Sequence, residues 1–209
     1  ASGYTTVSAT GLAGDLTIGL AARASTAMTI TGGTGSDSIA MENASDVLDG
    51  GTKTGTSDTL VLGGTYNTGG ITVDLTSSTD QITLFNGAAN SSVQKNFESV
   101  DLSGATFNAA GATITGTTGD NSITGTNKAD TINPGLGADS ILASLGADTV
   151  DLTESTSSTD KIYVTSVATA NATTLTGFTS ADIFVIDESA TSNDCSRARA
   201  PLAHHEPYT

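Results

Sequence analysis

The chain of 209 residues is acidic and has few charged or aromatic side chains. It contains 22 Asp and Glu against 7 Lys and Arg, which gives a formal net charge of −15 at pH 7, and only 4% of its residues are aromatic. Because a chain this acidic repels phosphate groups, we expect no nucleic-acid partner. No apolar run of about 18 residues occurs, so we expect no membrane insertion. The single Cys195 excludes internal disulfides.

The first repeat block covers residues 32–62 and follows short β-prone segments at 1–31, which we predict to form N-terminal strands or a cap. Its clearest unit, at 32–40, reads GGTGSDSIA and fills every position of the nonapeptide G-G-x-G-x-D-x-U-x, where U is a large aliphatic residue. Tight turns of this kind need residues that tolerate positive φ, hence the glycines. We predict metal ligands at Gly33, Gly35, Asp37, Asp46 and Asp58, the last after about three extra residues around Lys53.

Residues 63–115 lose the nonapeptide but keep the alternation of a β-strand. Ile71 and Val73 alternate with polar neighbours, and similar pairs follow along the segment. We predict further rungs of the same coil here, with three aromatic side chains that plug or cap the core: Phe85, Phe97 and Phe107.

The second repeat block covers residues 116–152 and contains four successive units, GTTGDNSIT, GTNKADTIN, PGLGADSIL and ASLGADTVD. A polar residue and an aliphatic residue recur in register in every unit. The predicted ligands are Asn121, Asp130, Gly135, Gly137, Asp139, Gly146 and Asp148. Asn121 stands where an Asp is expected and Lys128 where a glycine is expected, so we expect the sites built from them to be weak or empty. The sites that use Asp37, Asp139 and Asp148 fit the pattern better.

The C-terminal part divides into residues 153–190, which we predict to be strands or a cap, and a tail at 191–209. The tail holds Cys195 and both histidines, His204 and His205, and we interpret it as disordered or artificially appended. Neither the thiol nor the histidine pair is interpreted as a site. Aspartates outside the register are interpreted as solvated turn or strand-edge charges: Asp15, Asp74, Asp101, Asp151 and Asp160.

The residue types at this spacing point to calcium. Ca²⁺ takes about six to eight oxygen ligands from carboxylates and main-chain carbonyls. Six turn residues and three strand residues make one unit, and two units make a coil of eighteen. Asp130 should then lie above Asp148 and Asn121 above Asp139, while Asp37 shares an edge with Asp58 and Asp46 lies on the opposite edge. Carboxylates in neighbouring rungs, about 4.7–4.9 Å apart, repel by roughly 3–4 kcal/mol per pair, so we expect metal-free blocks to loosen or unfold.

These units resemble the RTX repeats of bacterial secreted proteins. The resemblance implies an all-β fold, a right-handed parallel β-helix or β-roll with Ca²⁺ sites between stacked turns. The segment 96–102, NFESVDL, and the Thr/Ala/Gly-rich strands are similar to RTX-bearing surface-layer proteins, which form lattices on bacterial cells. The segment 175–183, LTGFTSADI, is similar to the piece that often closes RTX modules.

We therefore expect a structural, calcium-dependent extracellular protein piece, an assembly segment of a bacterial surface layer. Its expected partners are calcium ions, further copies of itself in a lattice, and neighbouring parts of a longer chain. We expect no enzyme activity, since the chain has no G-x-S-x-G elbow, H-E-x-x-H, P-loop or Rossmann fingerprint. One alternative is the C-terminal RTX module of a type I-secreted enzyme or toxin. Another is an adhesin or ice-binding-like module, for which Thr72, Thr83 and Thr113 look too irregular to form rows.

Overall fold

The computed structural model describes residues 5–19, 26–52, 57–164 and 173–186. Over these ranges the chain is all-β, a parallel β-solenoid of about seven turns, which confirms the predicted fold class. No helix that could span a membrane occurs in the described ranges. The predicted loop around Lys53 and the tail at 191–209 lie outside the described residues.

The strands are short, as expected from a nine-residue repeat that gives three residues to each strand. In chain order they are β1 Thr6–Ser8, β2 Thr17–Ile18, β3 Thr29–Thr31, β4 Ser38–Met41, β5 Val47–Asp49, β6 Thr59–Tyr66, β7 Ile71–Asp74, β8 Ile82–Phe85, β9 Ala88–Ala89, β10 Gln94–Lys95, β11 Ser99–Phe107, β12 Ala112–Thr115, β13 Ser122–Thr124, β14 Thr131–Asn133, β15 Ser140–Leu142, β16 Thr149–Asp151, β17 Lys161–Val164, β18 Thr174–Thr176 and β19 Ile183–Ile186.

The strands form three sheets, in which successive turns of the chain lie side by side. Sheet A has the order β1-β3-β5-β10, sheet B the order β19-β17-β15-β13-β11-β6-β4-β2, and sheet C the order β18-β16-β14-β12-β7-β8-β9. Apart from β7 to β10, four successive strands that lie in sheets C and A, the chain alternates between sheet B and either sheet A or sheet C. In the alternating parts, each full turn of the solenoid contributes one strand to sheet B and one to the other face.

The core is a column of aliphatic side chains from the middle of each strand. In sheet B, Ile123 pairs with Ile141, and Ile141 pairs with Ile162. In sheet C, Ile132 pairs with Val150. All five side chains are fully buried, and each contributes about 1.5–3 kcal/mol relative to an exposed position. The eighteen-residue step from Ile123 to Ile141 confirms the predicted coil of two nonapeptides.

The segment at 63–115 departs from a purely parallel coil. β7 pairs with β8 and β8 with β9 in antiparallel fashion. The turn between β8 and β9 contains Asn86 and Gly87, whose φ values are 51° and 79°. Asn-Gly with positive φ at both residues is the preferred two-residue hairpin turn. The hairpin therefore has a local sequence cause, and it separates sheet A from sheet C.

Two buried glutamines fasten this hairpin to the solenoid. The Gln81 side chain donates to the carbonyl oxygens of Leu75 and Phe97 at 2.9 and 2.8 Å and accepts from the Phe97 N–H at 3.0 Å. Gln94 lies opposite Leu48 in sheet A and donates to the carbonyl of Asp46. The three phenylalanines expected to plug the core are buried nearby: Phe85, Phe97 and Phe107.

Threonines form an in-register column on the outer face of sheet C. The register joins five consecutive strands through Thr72, Thr113, Thr131, Thr149 and Thr174. Four of these residues are exposed and Thr72 is half-buried. The expectation that Thr72 and Thr113 are too irregular for a row is therefore wrong for this single column, because the two residues pair directly across the hairpin insertion. Regular T-x-T rows do not form, since the positions two residues further along include Asp74 and Asn133. Thr83 lies on β8 and does not belong to the column.

Close stacking of the turns requires glycine at specific positions. Gly135 has φ of 99°, and a Cβ there would lie 1.9 Å from the carbonyl oxygen of Thr117 in the turn one coil earlier. Gly119, in that earlier turn, has more space, since a Cβ would meet only the Thr117 Oγ1, at 4.0 Å. The same substitution therefore has different consequences at the two positions.

We predict that Gly135→Ala lowers the free energy of unfolding by at least about 1–2 kcal/mol, because it adds an unfavourable left-handed conformation to a clash with backbone. The matched variant Gly119→Ala should change it by no more than about 0.5 kcal/mol. Urea unfolding in calcium-containing buffer measures both. Equal losses in the two variants would show that the turns do not stack as described.

Candidate metal centre

A column of polar residues runs along the edge of sheet B, at the position immediately before each strand. Six of the eight positions carry Asp or Asn: Asp37, Asp58, Asn121, Asp139, Asp160 and Asp182. The other two positions carry Leu16, at the N-terminal end, and Glu98, before β11. A shorter column at the opposite edge consists of Asp46 in sheet A and of Asp130 and Asp148 in sheet C.

Each aspartate in these columns bonds to the turn before it. The Oδ1 atom of Asp58 accepts the Asp37 N–H at 2.7 Å, and that of Asp139 accepts the Asn121 N–H at 2.8 Å. At the opposite edge, the Oδ1 of Asp148 accepts the Asp130 N–H at 2.9 Å. These bonds confirm the predicted stacking of Asp37 with Asp58, Asn121 with Asp139 and Asp130 with Asp148.

Asp46 follows the same rule at the opposite edge. Its Oδ1 accepts the Met28 N–H at 2.8 Å, and β5, which follows Asp46, belongs to sheet A rather than sheet B. The predicted placement of Asp46 away from Asp37 and Asp58 is confirmed.

Some of the turns are closed by their own side chain. In these turns the residue four positions before the Asp or Asn donates its N–H to the side-chain oxygen. The Gly33 N–H donates to Asp37 at 2.6 Å, and the Thr126 N–H donates to Asp130 at 2.7 Å. Thr117 donates in the same way to Asn121 at 2.6 Å, and the Asn121 amide also donates to the Glu98 carbonyl at 2.7 Å. These oxygens already have donors within the protein, which agrees with the expectation of weak sites at Asn121 and beside Lys128. The turn of Asp37 is closed in the same way, although its site was expected to be one of the better ones, and the strengths of all these sites stay predictions.

Two later turns are open. Residue 135, four positions before Asp139, has φ of 99°, and Ser144, four positions before Asp148, has φ of 69°, so their N–H groups do not close the turn. Among the described residues, the Oδ2 atom of Asp139 has no hydrogen-bond partner, although Asp139 is only 1% exposed. The Oδ2 atom of Asp148 has one long contact with the part of the chain that the structure describes, 3.5 Å to the Thr173 hydroxyl. The open turns therefore hold carboxylate oxygens that protein donors leave largely unsatisfied.

These carboxylates carry a desolvation cost. Burial raises the pKa of Asp139 from 3.8 to about 7, and the neighbouring negative charges of Asp160 and Glu154 act in the same direction. Burial likewise raises the pKa of Asp130 to about 6 and raises the pKa values of Asp148 and Asp160 above their ordinary range. Ionisation of these four aspartates in the fold therefore costs free energy, which a bound cation would offset.

The residues present fit a calcium ion. Buried carboxylate oxygens without a donor need a positive partner, and hard oxygen ligands suit Ca²⁺. In the ranges that the structure covers, no three acidic, His or Cys side chains converge on one point. A bound ion would therefore take one or two carboxylates and fill its shell with main-chain carbonyls, which the tight glycine turns hold close together.

The structure corrects the interpretation of Asp160. This residue was expected to be a solvated turn or strand-edge charge, but it is 1% exposed and occupies the column of sheet B above Asp139. Asp182, which was not predicted as a site residue, continues the column, since it accepts the Asp160 N–H at 3.1 Å. One signal was available: Asp160 lies 21 residues after Asp139, and Asp37 and Asp58 are separated by the same 21 residues.

The remaining predicted ligands lie in the stacked turns. A Cβ on Gly33 would lie 2.2 Å from the Leu12 carbonyl oxygen, and one on Gly35 would lie 2.7 Å from a carboxylate oxygen of Asp15. Gly137 and Gly146 have φ of 112° and 137°. Asp58 is 1% exposed. The structure brings all of these residues into the turns, and their roles as calcium ligands stay predictions.

Comparison with known proteins identifies part of this region. Residues 115–150 match the family HemolysinCabind, described as the RTX calcium-binding nonapeptide repeat (4 copies). The match includes both open turns, and the first repeat block lies outside it. Searches among curated proteins and among solved structures found no match. The second repeat block is thus similar to RTX repeats, which implies a calcium-binding structural module of a kind typical of secreted proteins.

Proposed function

We propose that the chain is a structural, calcium-dependent segment of an extracellular protein and serves in assembly of a bacterial surface layer. One observation carries the calcium dependence: the open turns hold buried carboxylate oxygens, at Asp139 and Asp148, that protein donors leave largely unsatisfied. Calcium bound there supplies positive charge between stacked turns. A chain exported into a calcium-rich medium would then gain its stability outside the cell.

The ends of the solenoid support association with other chains or with neighbouring parts of a longer chain. Within the described ranges, β2 and β19 are the outermost strands of sheet B, and each pairs on one side only. Unpaired parallel edges template further strands. An assembly segment would use such ends, and the exposed Leu145 on an open turn, 47% exposed, adds an apolar contact point.

The threonine column favours a second candidate, a module that adsorbs to a periodic solid surface such as ice. Five in-register threonines repeat at the strand spacing, about 4.7–4.9 Å, on the outer face of sheet C. A second polar column lies two residues further along each strand: Asp74, Thr115, Asn133, Asp151 and Thr176. A flat, regular array of small polar groups matches an ordered surface better than a single soluble ligand.

A third candidate, the RTX module of a secreted enzyme or toxin, uses the same calcium-dependent solenoid. On this candidate the chain itself still performs no catalysis, as we propose for the other two. The three candidates differ in what the folded solenoid binds, and this difference can be measured.

Removal of calcium tests the shared part of the proposal. We predict that EGTA lowers the thermal midpoint by more than about 10 °C, because binding free energy at these turns is folding free energy. Circular dichroism during back-titration with Ca²⁺, but not with equal Mg²⁺, should restore the β signal. A thermal midpoint that EGTA leaves unchanged would contradict the proposal.

Acidity provides a second test on the calcium-free protein. Since the folded-state pKa of Asp139 is about 7 and its ordinary value is 3.8, the folded chain holds more protons than the unfolded chain between about pH 4 and pH 7. The free energy of unfolding therefore falls as the pH rises through this window. We predict a higher thermal midpoint at about pH 6 than at pH 8 without calcium.

The variant Asp139→Asn serves as the control for this pH dependence. It lacks the titrating group, so its midpoint should change less between the two pH values than that of the wild type. An identical pH dependence in both proteins would assign the effect to overall charge repulsion instead of to the column.

Assembly and adsorption distinguish the candidates. At millimolar Ca²⁺ we predict two-dimensional sheets, visible by electron microscopy, for the surface-layer segment. A protein that stays monomeric contradicts that assignment. The surface-binding candidate holds if the monomer partitions into slowly growing ice and Thr131→Lys abolishes this partitioning. The control Ser122→Lys, at the exposed first residue of β13, should leave it unchanged. A monomer that does neither is the expected behaviour of an enzyme or toxin module.

A further inference from the structure

The turn at 153–160 lies directly above the open turn that ends at Asp139. Its sequence, TESTSSTD, contains no glycine and does not fit the nonapeptide. It nevertheless places Asp160 in the column of sheet B, where the Oδ1 atom of Asp160 accepts the Asp139 N–H at 2.9 Å. The strands that follow are in register, with Ile162 opposite Ile141.

Asp139 and Asp160 each have one carboxylate oxygen without a hydrogen-bond donor among the described residues. In the described part of the chain three buried side-chain atoms lack a hydrogen-bond partner, and two of them are the Oδ2 atoms of Asp139 and Asp160. Both residues are only 1% exposed. Two unpartnered carboxylate oxygens on stacked positions are costly to bury unless a cation lies between or beside them.

Glu154 adds a third negative charge and ties the two turns together. One carboxylate oxygen accepts the Gly137 N–H of the lower turn at 3.1 Å, and the other accepts the Ser158 N–H of its own turn at 2.7 Å. Because both of its oxygens hold these donors, Glu154 is a positioning residue that supplies charge. The neighbouring Lys161 starts the next strand and is exposed, so it does not neutralise the site.

In the next turn, which ends at Asp182, the second carboxylate oxygen has donors. The Oδ2 atom of Asp182 accepts the Thr179 N–H at 2.7 Å and the Thr179 hydroxyl at 3.0 Å. Among the described residues of the sheet B column, the Oδ2 atoms without a hydrogen-bond partner are therefore those of Asp139 and Asp160. The sheet B column thus contains two adjacent carboxylates that each lack a donor at one oxygen, one in the nonapeptide turn of Asp139 and one in the glycine-free turn of Asp160.

We infer that Asp139 and Asp160 hold a calcium ion at the junction of the last nonapeptide coil with the glycine-free turn at 153–160. This assignment rests on the proposed calcium dependence and extends it beyond the residues that match the repeat. The ligand class is a hard divalent cation, since the described residues contain no His or Cys and the available groups are carboxylate and carbonyl oxygens. The turn at 153–160 would thereby be the calcium-bound end of the repeat block.

The test is Asp160→Asn in the full chain, with Asp151→Asn as the matched control. Asp151 is half-buried and accepts the Thr153 N–H at 3.1 Å outside the column. Calcium bound per chain, measured by equilibrium dialysis with elemental analysis, should fall by one ion in Asp160→Asn and stay unchanged in the control. In EGTA, Asp160→Asn should melt above the wild type, because it removes an unpartnered buried charge, and its calcium-induced increase in midpoint should be smaller.

Wild-type stoichiometry together with a wild-type calcium-induced shift in Asp160→Asn would overturn the inference and leave the proposed function standing. A wild type that binds no calcium would overturn both. If Asp160→Asn does not fold, Glu154→Gln carries the test. It should keep the number of ions but weaken the affinity of one site several-fold, and an unchanged affinity at every site would contradict the assignment.

Discussion

The whole structure depends on burying one carboxylate in nearly every turn of a narrow coil. The two oxygens of each carboxylate have different environments. One oxygen accepts an N–H from the preceding turn and so fastens successive coils together, as in the bond from Asn121 to Asp139 at 2.8 Å. The other oxygen must find a donor or a cation. Closed turns supply a backbone donor, whereas the open turns ending at Asp139 and Asp148 do not. At the open turns, the free energy of metal binding therefore contributes directly to the stability of the fold.

The solenoid architecture makes this problem local. Each turn contacts its neighbours, so stability is approximately a sum of terms between adjacent rungs. The hairpin of β8 and β9 separates the two repeat blocks, and Gln81 and Gln94 fasten it with neutral hydrogen bonds that need no ion. Calcium is thus expected to act on each block separately, with the central rungs as a metal-independent junction.

Much of the fold and of the site was predictable because the repeat period fixes geometry. A period of nine with one aliphatic residue puts Ile123 and Ile141 in one column, and the same arithmetic stacks Asp130 on Asp148. Asp160 was missed because its turn has no glycine, and only its spacing from Asp139 reveals its place. The antiparallel hairpin was missed although Asn86-Gly87 is a strong local signal. Part of the threonine column was visible from spacing, since Thr113, Thr131 and Thr149 keep the eighteen-residue step. The pairing of Thr72 with Thr113 could not be seen in this way, because the insertion between them breaks the period.

The central claim is that cations occupy the open turns when the solenoid is folded. A crystal structure of the protein grown in millimolar CaCl₂, with anomalous differences measured at long wavelength, tests it most directly. The account predicts a peak within about 2.3–2.6 Å of the Oδ2 atom of Asp139 and another at Asp148. An intact, well-ordered solenoid without a peak at either turn would contradict it.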